Sequence, residues 1–206
     1  MPQMTHYYGP TSPFARKVRI AVAERDLGQL VREVPVTVRT PGNLVLQVNP
    51  TGKVPALVVE EGRDKGLVLL ESTLICEYLE QFGDAPPLLP KEGRAHWEER
   101  ALDAYAHALM DSIAWRTREF RKPDTFQYGP FIEYEAERIE RCLTDLEDRI
   151  DDLTANPLSL GRILLAIALD YMLLRFPDWD WRQTHPNLAD WHRLMVQRPS
   201  FRATAP

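Results

Sequence analysis

The spacing of apolar residues changes along the chain and divides it near Gly83. Before that point, short apolar runs typical of strands alternate with segments of helical periodicity, and Gly or Pro stands at most junctions. After a proline-containing segment at 84–90, apolar residues recur at helical spacing. The pattern therefore predicts a small α/β module over residues 1–83 and an all-helical module over residues 91–206.

The first module is predicted to have the element order β-α-β-α-β-β-α. Residues 4–8 fit a strand, and a helix follows from Pro13, where the missing N–H does no harm. Residues 31–36 fit a second strand, after which the connection is irregular or helical. Residues 55–70 fit an antiparallel hairpin, and residues 71–82 return to helix. A βαβ half followed by a hairpin and a helix indicates a mixed sheet.

The second module is predicted to be a helical bundle. Apolar residues at helical spacing mark one face of a long first helix: Trp97, Ala101, Ala104, Ala108 and Trp115. A more regular series marks the next helix: Ile132, Ala136, Ile139, Leu143, Leu146, Ile150 and Leu153. This second series is typical of an antiparallel bundle. The apolar helix after Ser159 is interrupted by Asp170, so we interpret it as a core helix and not a membrane span.

Charge and cysteine content narrow the class of protein. The net charge is −5, and residues 1–83 hold nine basic and nine acidic residues, so the excess lies in the helical module. The chain has no basic face of the kind that would indicate nucleic-acid binding, and no metal site is predicted. The first residues lack the pattern of a secretory signal, so a cytoplasmic location is expected. Cys76 and Cys142 fall in helical patterns and are expected to be thiols.

Three short segments carry candidate binding chemistry. Ser12 stands at the start of a helix, where oriented N–H groups favour an anion such as a thiolate. Val54, before Pro55, offers backbone groups that could pair with a peptide-like ligand. Glu71 and Ser72 begin another helix and suit an ammonium and a carboxylate, respectively. Taken singly, each segment has a simpler interpretation: a helix cap, an ordinary loop and a second cap.

Together and in this order, the segments resemble the thioredoxin-like half of the glutathione transferase family. Ser-Pro-Phe-Ala-Arg-Lys-Val resembles the segment that contacts the sulfur in the serine-using and cysteine-using branches. Lys-Val-Pro-Ala-Leu resembles the cis-proline loop, and Glu-Ser-Thr-Leu-Ile resembles the γ-glutamyl clamp. His-Pro-Asn-Leu at 185–188 and Arg-Pro-Ser-Phe at 198–201 resemble the last-helix signature. The resemblance implies an α/β thioredoxin-like domain at 1–83 that binds glutathione and an all-α helical-bundle substrate domain at 91–206.

The resemblance also implies an activity, in which glutathione is the co-substrate of a detoxifying transferase. Ser12 would donate a hydrogen bond to the glutathione sulfur and hold it as a thiolate, with Thr11 as the adjacent alternative. The thiolate would then attack an electrophilic carbon of a small, mostly apolar substrate. Serine at position 12 argues against thiol–disulfide exchange, because a hydroxyl forms no mixed disulfide. A homodimer is expected from the resemblance alone.

The remaining ligand contacts are implied in the same way. Val54 would present its main chain to the cysteinyl unit, and the bond between Val54 and Pro55 is expected to be cis. Glu71 and Ser72 would hold the γ-glutamyl end, and Lys53 would bind the glycine carboxylate. A pocket for the second substrate is expected to be lined by Tyr8, Pro10, Tyr105, Leu109, Met110 and Ile113.

One departure from the family pattern concerns the buried helix after Ser159. The family has a Ser/Thr-x-x-Asp capping box there, whereas this chain has Arg162 in the acidic position. A cation facing the positive end of a helix is unfavourable, so reduced stability is expected. Asp170 within that helix is expected to be hydrogen-bonded and structural.

Two other functions remain open at this stage. The chain could bind glutathione as a regulatory protein without useful catalysis, since a fold does not determine a function. It could also be a glutathione-dependent isomerase or dehalogenase on the same scaffold. Substrate choice depends on scattered helical side chains, and such pockets have no short linear signature.

Overall fold

The structure is a computed structural model that describes residues 3–206. The chain folds into two compact units. The first comprises the chain up to His96 together with Pro199–Pro206, and the second comprises Trp97–Arg198. The bounds 1–83 and 91–206 were predicted from the apolar pattern, and they stay a prediction, as do the glutathione-binding and substrate-binding roles of the two domains.

The first unit is built on a four-stranded mixed sheet. Its elements are β1 (Met4–Tyr8), α1 (Pro13–Glu24), β2 (Val31–Pro35), a 3₁₀ turn (Leu44–Gln47), β3 (Ala56–Val59), β4 (Val68–Leu70), α2 (Ser72–Leu79) and, from the end of the chain, α8 (Pro199–Ala203). The strand order is β2-β1-β3-β4, with β1 and β2 parallel and the other pairs antiparallel. The predicted thioredoxin-like α/β fold is confirmed, and the open connection after β2 contains one short 3₁₀ turn.

Alternation along the strands gives the sheet two buried faces. On one face, Val36, Val45 and Ala56 form a cluster that Tyr7 and Val54 pack against, so the 3₁₀ turn covers this side. On the other face, the Tyr8 ring lies under the Arg19 guanidinium of α1, 4.4 Å from the ring centroid. Residues of one strand therefore face opposite layers, as the period of two requires.

The last helix of the chain is fastened to α1 by a buried arginine. Arg16 Nη2 donates to the Phe201 carbonyl oxygen at 3.1 Å, and Arg16 Nε donates to Thr204 Oγ1 at 3.4 Å. The Ser200 hydroxyl donates to Glu24 Oε1 at 2.5 Å. The segment Arg-Pro-Ser-Phe, which belongs to the last-helix resemblance, thus packs on α1, the helix that Ser12 caps.

The second unit is helical, as predicted. Its elements are α3 (Gly93–Glu119, whose first residues belong to the first unit), a 3₁₀ turn (Asp124–Phe126), α4 (Gly129–Asp148), α5 (Ile150–Thr154), α6 (Leu160–Arg175) and α7 (Pro186–Val196). The seam predicted from Ile132 to Leu153 is buried or half-buried at every position, although Arg149 interrupts the helix. The apolar helix after Ser159 is buried over most of its length, which confirms the core interpretation. No helix in residues 3–206 is long and apolar enough to cross a membrane.

The apolar stripe proposed for α3 was assigned to the wrong face. All five of its residues are exposed, and Trp97 retains 70% of its accessible surface and Trp115 42%. The buried face contains Ala106, Leu109 and Ile113 instead. Both faces of α3 carry apolar residues at helical spacing, so periodicity alone does not distinguish a core face from an exposed one.

The missing acid of the α6 cap is supplied by another helix. Ser159 Oγ accepts from Arg162 N at 3.5 Å, and Glu99 Oε1 of α3 accepts from Gly161 N at 2.6 Å. Glu99 Oε2 lies 3.5 Å from Arg162 Nη1. The approach is possible because residue 161 has no side chain: a Cβ there would come within 2.8 Å of Leu102 Cγ. A long-range pair therefore replaces the local capping box.

A buried histidine without partners lies in β1. His6 is fully buried, and neither of its ring nitrogens has a hydrogen-bond partner in the described part of the chain. Its ring stacks on Tyr8 with the centroids 5.9 Å apart. Burial, with a smaller contribution from Arg19, lowers the pKa of His6 to about 3. The histidine is therefore neutral in the folded protein at ordinary pH.

We expect His6 to make the protein less stable in acid. Below pH 6.5 the unfolded chain binds a proton at this histidine while the folded chain resists it, so stability falls as the pH falls towards 3. At pH 4.5 the loss attributable to His6 is about 2–3 kcal/mol. Urea unfolding of His6→Leu should show a smaller difference in stability between pH 8 and pH 4.5 than the wild type. An equal difference in the two proteins would contradict this assignment.

We expect Glu99→Ala to destabilise the protein by about 3–5 kcal/mol, because it leaves the Arg162 charge and the Gly161 N–H buried without their acidic partner. The measurement is urea unfolding at neutral pH. Glu98→Ala is the matched control: Glu98 is the exposed neighbour on the same helix, and its loss should cost less than about 1 kcal/mol. Similar losses for the two variants would show that Glu99 is not the cap of α6.

Candidate functional site

The turn between β1 and α1 places Ser12 at the first turn of a helix. Ser12 N donates to the Gly9 carbonyl at 2.9 Å, and Ser12 Oγ accepts from Ala15 N at 3.3 Å. The cap interpretation is therefore correct, but it uses only a lone pair of the oxygen. The hydroxyl proton stays available to a ligand, because a serine can accept and donate at once. Ser12 is half-buried, whereas Thr11 is exposed.

Gly9 brings Ser12 and Val54 against the same point of the backbone. A Cβ on Gly9 would lie 3.3 Å from Val54 Cγ2 and 3.7 Å from Ser12 Cβ. A side chain at position 9 would press on Val54, so the close approach of the two segments favours glycine. The first two candidate segments are thus adjacent within the first unit.

The backbone of Val54 is open to a partner. The bond between Val54 and Pro55 is cis, as expected, and Val54 is half-buried. Its N–H and C=O make no hydrogen bond within residues 3–206. Polar backbone groups at a partly buried position are usually paired, so this donor and acceptor are available to an extended ligand.

Asn49 holds the loop that presents Lys53 and Val54. Asn49 is buried, its Nδ2 donates to the Lys53 carbonyl at 2.8 Å, and its Oδ1 accepts from Thr51 N at 3.0 Å. The sequence predicts only a turn at Asn-Pro, so this role of Asn49 was not expected. Lys53 itself is exposed, and its ammonium group makes no hydrogen bond or ion pair in the described part of the chain.

The start of α2 contains a strained residue. Glu71 has φ 83°, in the left-handed region, which costs a residue other than glycine about 1–3 kcal/mol. Its Oε1 accepts from Ser72 Oγ at 3.0 Å, and its Oε2 accepts from Thr73 N at 3.0 Å. The donors proposed for a ligand carboxylate are therefore engaged by Glu71, and a ligand would have to displace it from them.

Lys17 connects α1 to the start of α2. Its side chain is fully buried, and its Nζ donates to Thr73 Oγ1 at 3.2 Å. An ammonium group is costly to bury, so this contact fixes the two helices against each other. Amphipathic periodicity predicts a lysine on the solvent side of α1, and for that reason the role of Lys17 was missed.

Strand register brings the three segments to one end of the sheet. In β3, Ala56 pairs with Tyr7 of β1 on one side and with Leu70 of β4 on the other. The residues just beyond these pairs include Gly9, Pro55 and Glu71. They therefore leave the sheet at the same end of the strands. The predicted contacts of Ser12, Val54 and Glu71 with one ligand are consistent with this geometry.

The residues proposed for the second-substrate pocket have contacts within their own units. In the first unit, Tyr8 is half-buried under Arg19 and Pro10 is exposed. In the second unit, Tyr105 Oη donates to the Cys142 carbonyl at 3.2 Å, and burial raises the pKa of Tyr105. Three further members of the set are fully buried: Leu109, Met110 and Ile113. Their grouping into a pocket stays a prediction.

Metal and disulfide chemistry have no site among the described residues. No group of three or more His, Cys, Asp or Glu side chains is arranged to hold a metal ion there. Cys76 is buried and Cys142 is half-buried, and neither forms a disulfide.

The chain is similar to known proteins along nearly its whole length. Residues 11–81 match the family model for the glutathione S-transferase N-terminal domain. An uncharacterised GST-like protein of Escherichia coli K12, YibF, is 32% identical over 199 residues, which is 95% of each chain.

Solved structures show the same relationship. A glutathione transferase family member from Pseudomonas fluorescens Pf-5, crystallised with bound glutathione, is 33% identical, has a TM-score of 0.89 and is covered, like this chain, over 98% of its length. A glutathione S-transferase from Methylobacillus flagellatus KT, also with glutathione bound, is 33% identical with a TM-score of 0.88, and the match covers 98% of this chain and 99% of that one.

Proposed function

Because the chain belongs to the glutathione S-transferase family, we propose that it binds glutathione as a co-substrate and delivers the thiolate to a small electrophile. The observation that carries this proposal is the meeting of three elements at one end of the sheet. These are the Ser12 hydroxyl, the unpaired backbone of Val54 and the start of α2 at Glu71. The two solved relatives described above hold glutathione, which supports the choice of ligand.

The Ser12 hydroxyl would donate to the sulfur of the bound tripeptide. Oriented N–H groups at the start of α1 would add to the stabilisation of negative charge. Lowering the pKa of a free thiol from about 8.5 to about 6.5 requires roughly 2.7 kcal/mol of preferential stabilisation of the thiolate. A hydroxyl and a helix start can supply this amount, and the protein then contributes mainly positioning.

The rest of the tripeptide would lie across the end of the sheet at which these strands end or begin. The cysteinyl unit would exchange backbone hydrogen bonds with Val54, and the γ-glutamyl ammonium would bind Glu71. Its carboxylate would take the Ser72 hydroxyl and the Thr73 N–H from Glu71, which accepts from both in this structure. Lys53, whose ammonium lies exposed after the Asn49 turn, would bind the glycine carboxylate.

The nature of the second step is part of the proposal. Transfer to an electrophilic carbon needs only a positioned thiolate, and Ser12 suits that need. Isomerisation or dehalogenation would use the same thiolate, and a regulatory protein would bind glutathione without turnover. Calorimetric titration with glutathione, followed by assays on a panel of aryl halides, haloalkanes and unsaturated carbonyl compounds, separates these functions.

We expect Ser12→Ala to reduce turnover of a general aryl halide by about tenfold to a thousandfold, as for the loss of one anion-stabilising donor. The thiol pKa of bound glutathione, measured from thiolate absorbance, should rise towards its value in free solution. Thr11→Ala is the matched control, and it should leave both quantities near those of the wild type. If Thr11→Ala has the larger effect, the sulfur contact belongs to Thr11. An unchanged thiol pKa in both variants would contradict the mechanism.

We also propose that the protein forms a homodimer through the exposed apolar stripe of α3. The stripe comprises Trp97, Ala101, Ala104, Ala108 and Trp115, and its small central residues would allow close approach of a second copy. Light scattering after size exclusion should give about 47 kDa, twice the chain mass of 23.7 kDa. Ala104→Glu should shift the mass towards that of a monomer, whereas Glu98→Lys, on the same helix, should not. A monomeric wild type would contradict the proposal.

A further inference from the structure

Arg116, near the carboxyl end of α3, is surrounded by aromatic rings. Its guanidinium carbon lies 4.7 Å from the ring centroid of Phe120, 4.5 Å from that of Phe176 and 4.9 Å from that of Trp179. Cation–π attraction holds the plane of a guanidinium but satisfies none of its N–H donors. The rings therefore fix the position of a positive charge and leave its hydrogen-bonding capacity unused.

No carboxylate in the described part of the chain neutralises this charge. Arg116 makes no side-chain hydrogen bond or ion pair there, and its Nε is buried without a partner. Glu119, one turn along the helix, accepts from Lys122 Nζ at 2.7 Å and from Tyr128 N at 2.9 Å. Burial lowers the pKa of Arg116, and no acid offsets the effect.

The acids near Trp179 do not change this balance. Asp180 accepts from Arg182 Nε at 2.8 Å and from Gln183 Nε2 at 3.1 Å. Asp178 is exposed and is not paired with Arg116. A second arginine at the end of α6, Arg175, lies 4.7 Å over the Tyr171 ring and also has a buried Nε without a partner. The ends of α3 and α6 thus carry more positive charge than their local acids neutralise.

The edge of the Arg116 guanidinium remains accessible. Only Nε is buried without a partner, so the two terminal nitrogens reach solvent. The rings beside them are also partly accessible: Phe120 retains 45% of its surface and Trp179 is half-buried, whereas Phe176 forms the buried side. A planar pair of donors is thereby presented next to two partly accessible aromatic side chains.

We propose that Arg116, Phe120, Phe176 and Trp179 form a binding site for a planar aromatic carboxylate. The two terminal nitrogens match the spacing of carboxylate oxygens, and the rings would pack on the aromatic body of the ligand. A single guanidinium suits a monoanion better than a phosphate dianion, which usually recruits several donors. The site lies wholly within the second unit and does not depend on glutathione binding.

The test is a ligand-observed NMR titration of the full chain with benzoate, with neutral benzamide as the comparison ligand. We expect saturable benzoate binding on the order of millimolar and at least about tenfold weaker binding of benzamide. Arg116→Met, which keeps apolar length but removes the charge, should weaken benzoate binding by about tenfold or more. Arg118→Met is the matched control, because Arg118 is exposed on the same helix, and it should bind benzoate as the wild type does.

Several outcomes would overturn the proposal. These are no saturable binding by the wild type, equal binding by Arg116→Met, equal binding of benzamide, or displacement of benzoate by excess glutathione. If Arg116→Met fails to fold by circular dichroism, Phe120→Leu replaces it, and unchanged benzoate affinity in that variant would also overturn the site. Glutathione titrations of the same variants should match the wild type, so failure here is distinguishable from failure of the glutathione site.

Discussion

The pairing of β3 between β1 and β4 is the constraint on which the candidate site depends. Because Ala56 is fixed opposite both Tyr7 and Leu70, the connections to β1, β3 and β4 leave the sheet at the same end of the strands. A shift of one residue in this register would move Ala56 and Leu57 each to the face that the other now occupies. It would also separate Val54 from Gly9. The position of the candidate ligand-binding groups is thus set by the paired strands, and the loops complete it.

Helix α1 then links the site to the rest of its unit. Its first turn carries Ser12, and its buried cations hold the neighbouring elements. Lys17 binds α2 through Thr73, and Arg16 binds α8 through the Phe201 carbonyl. A hydroxyl can stabilise a thiolate only if its helix does not move when charge develops. The end of the chain therefore supports the helix that follows Ser12.

The separation along the chain between a residue and its partners explains which features the sequence could predict and which it could not. The strands and the Ser12 cap depend on neighbours in sequence, and each was predicted from them. The cis bond before Pro55 was expected from the family resemblance, and the structure has it. The face of α3 and the cap of α6 were not, because both depend on contacts between distant segments. Nothing near position 162 signals that Glu99 lies opposite it, sixty-three residues earlier in the chain. Lys17 was missed for the same reason, since its partner Thr73 is also remote.

The buried and half-buried cations of this chain have two different environments. Arg16, Lys17 and Arg162 each have oxygen acceptors within the protein, so their burial is offset by hydrogen bonds that hold helices together. Arg116 has aromatic rings and no oxygen acceptor, so its charge is positioned but not neutralised. If stability alone had selected this residue, an apolar side chain among the rings would serve better, because burying the Nε donor without an acceptor is costly. The retained charge therefore argues for a ligand that supplies the missing oxygens.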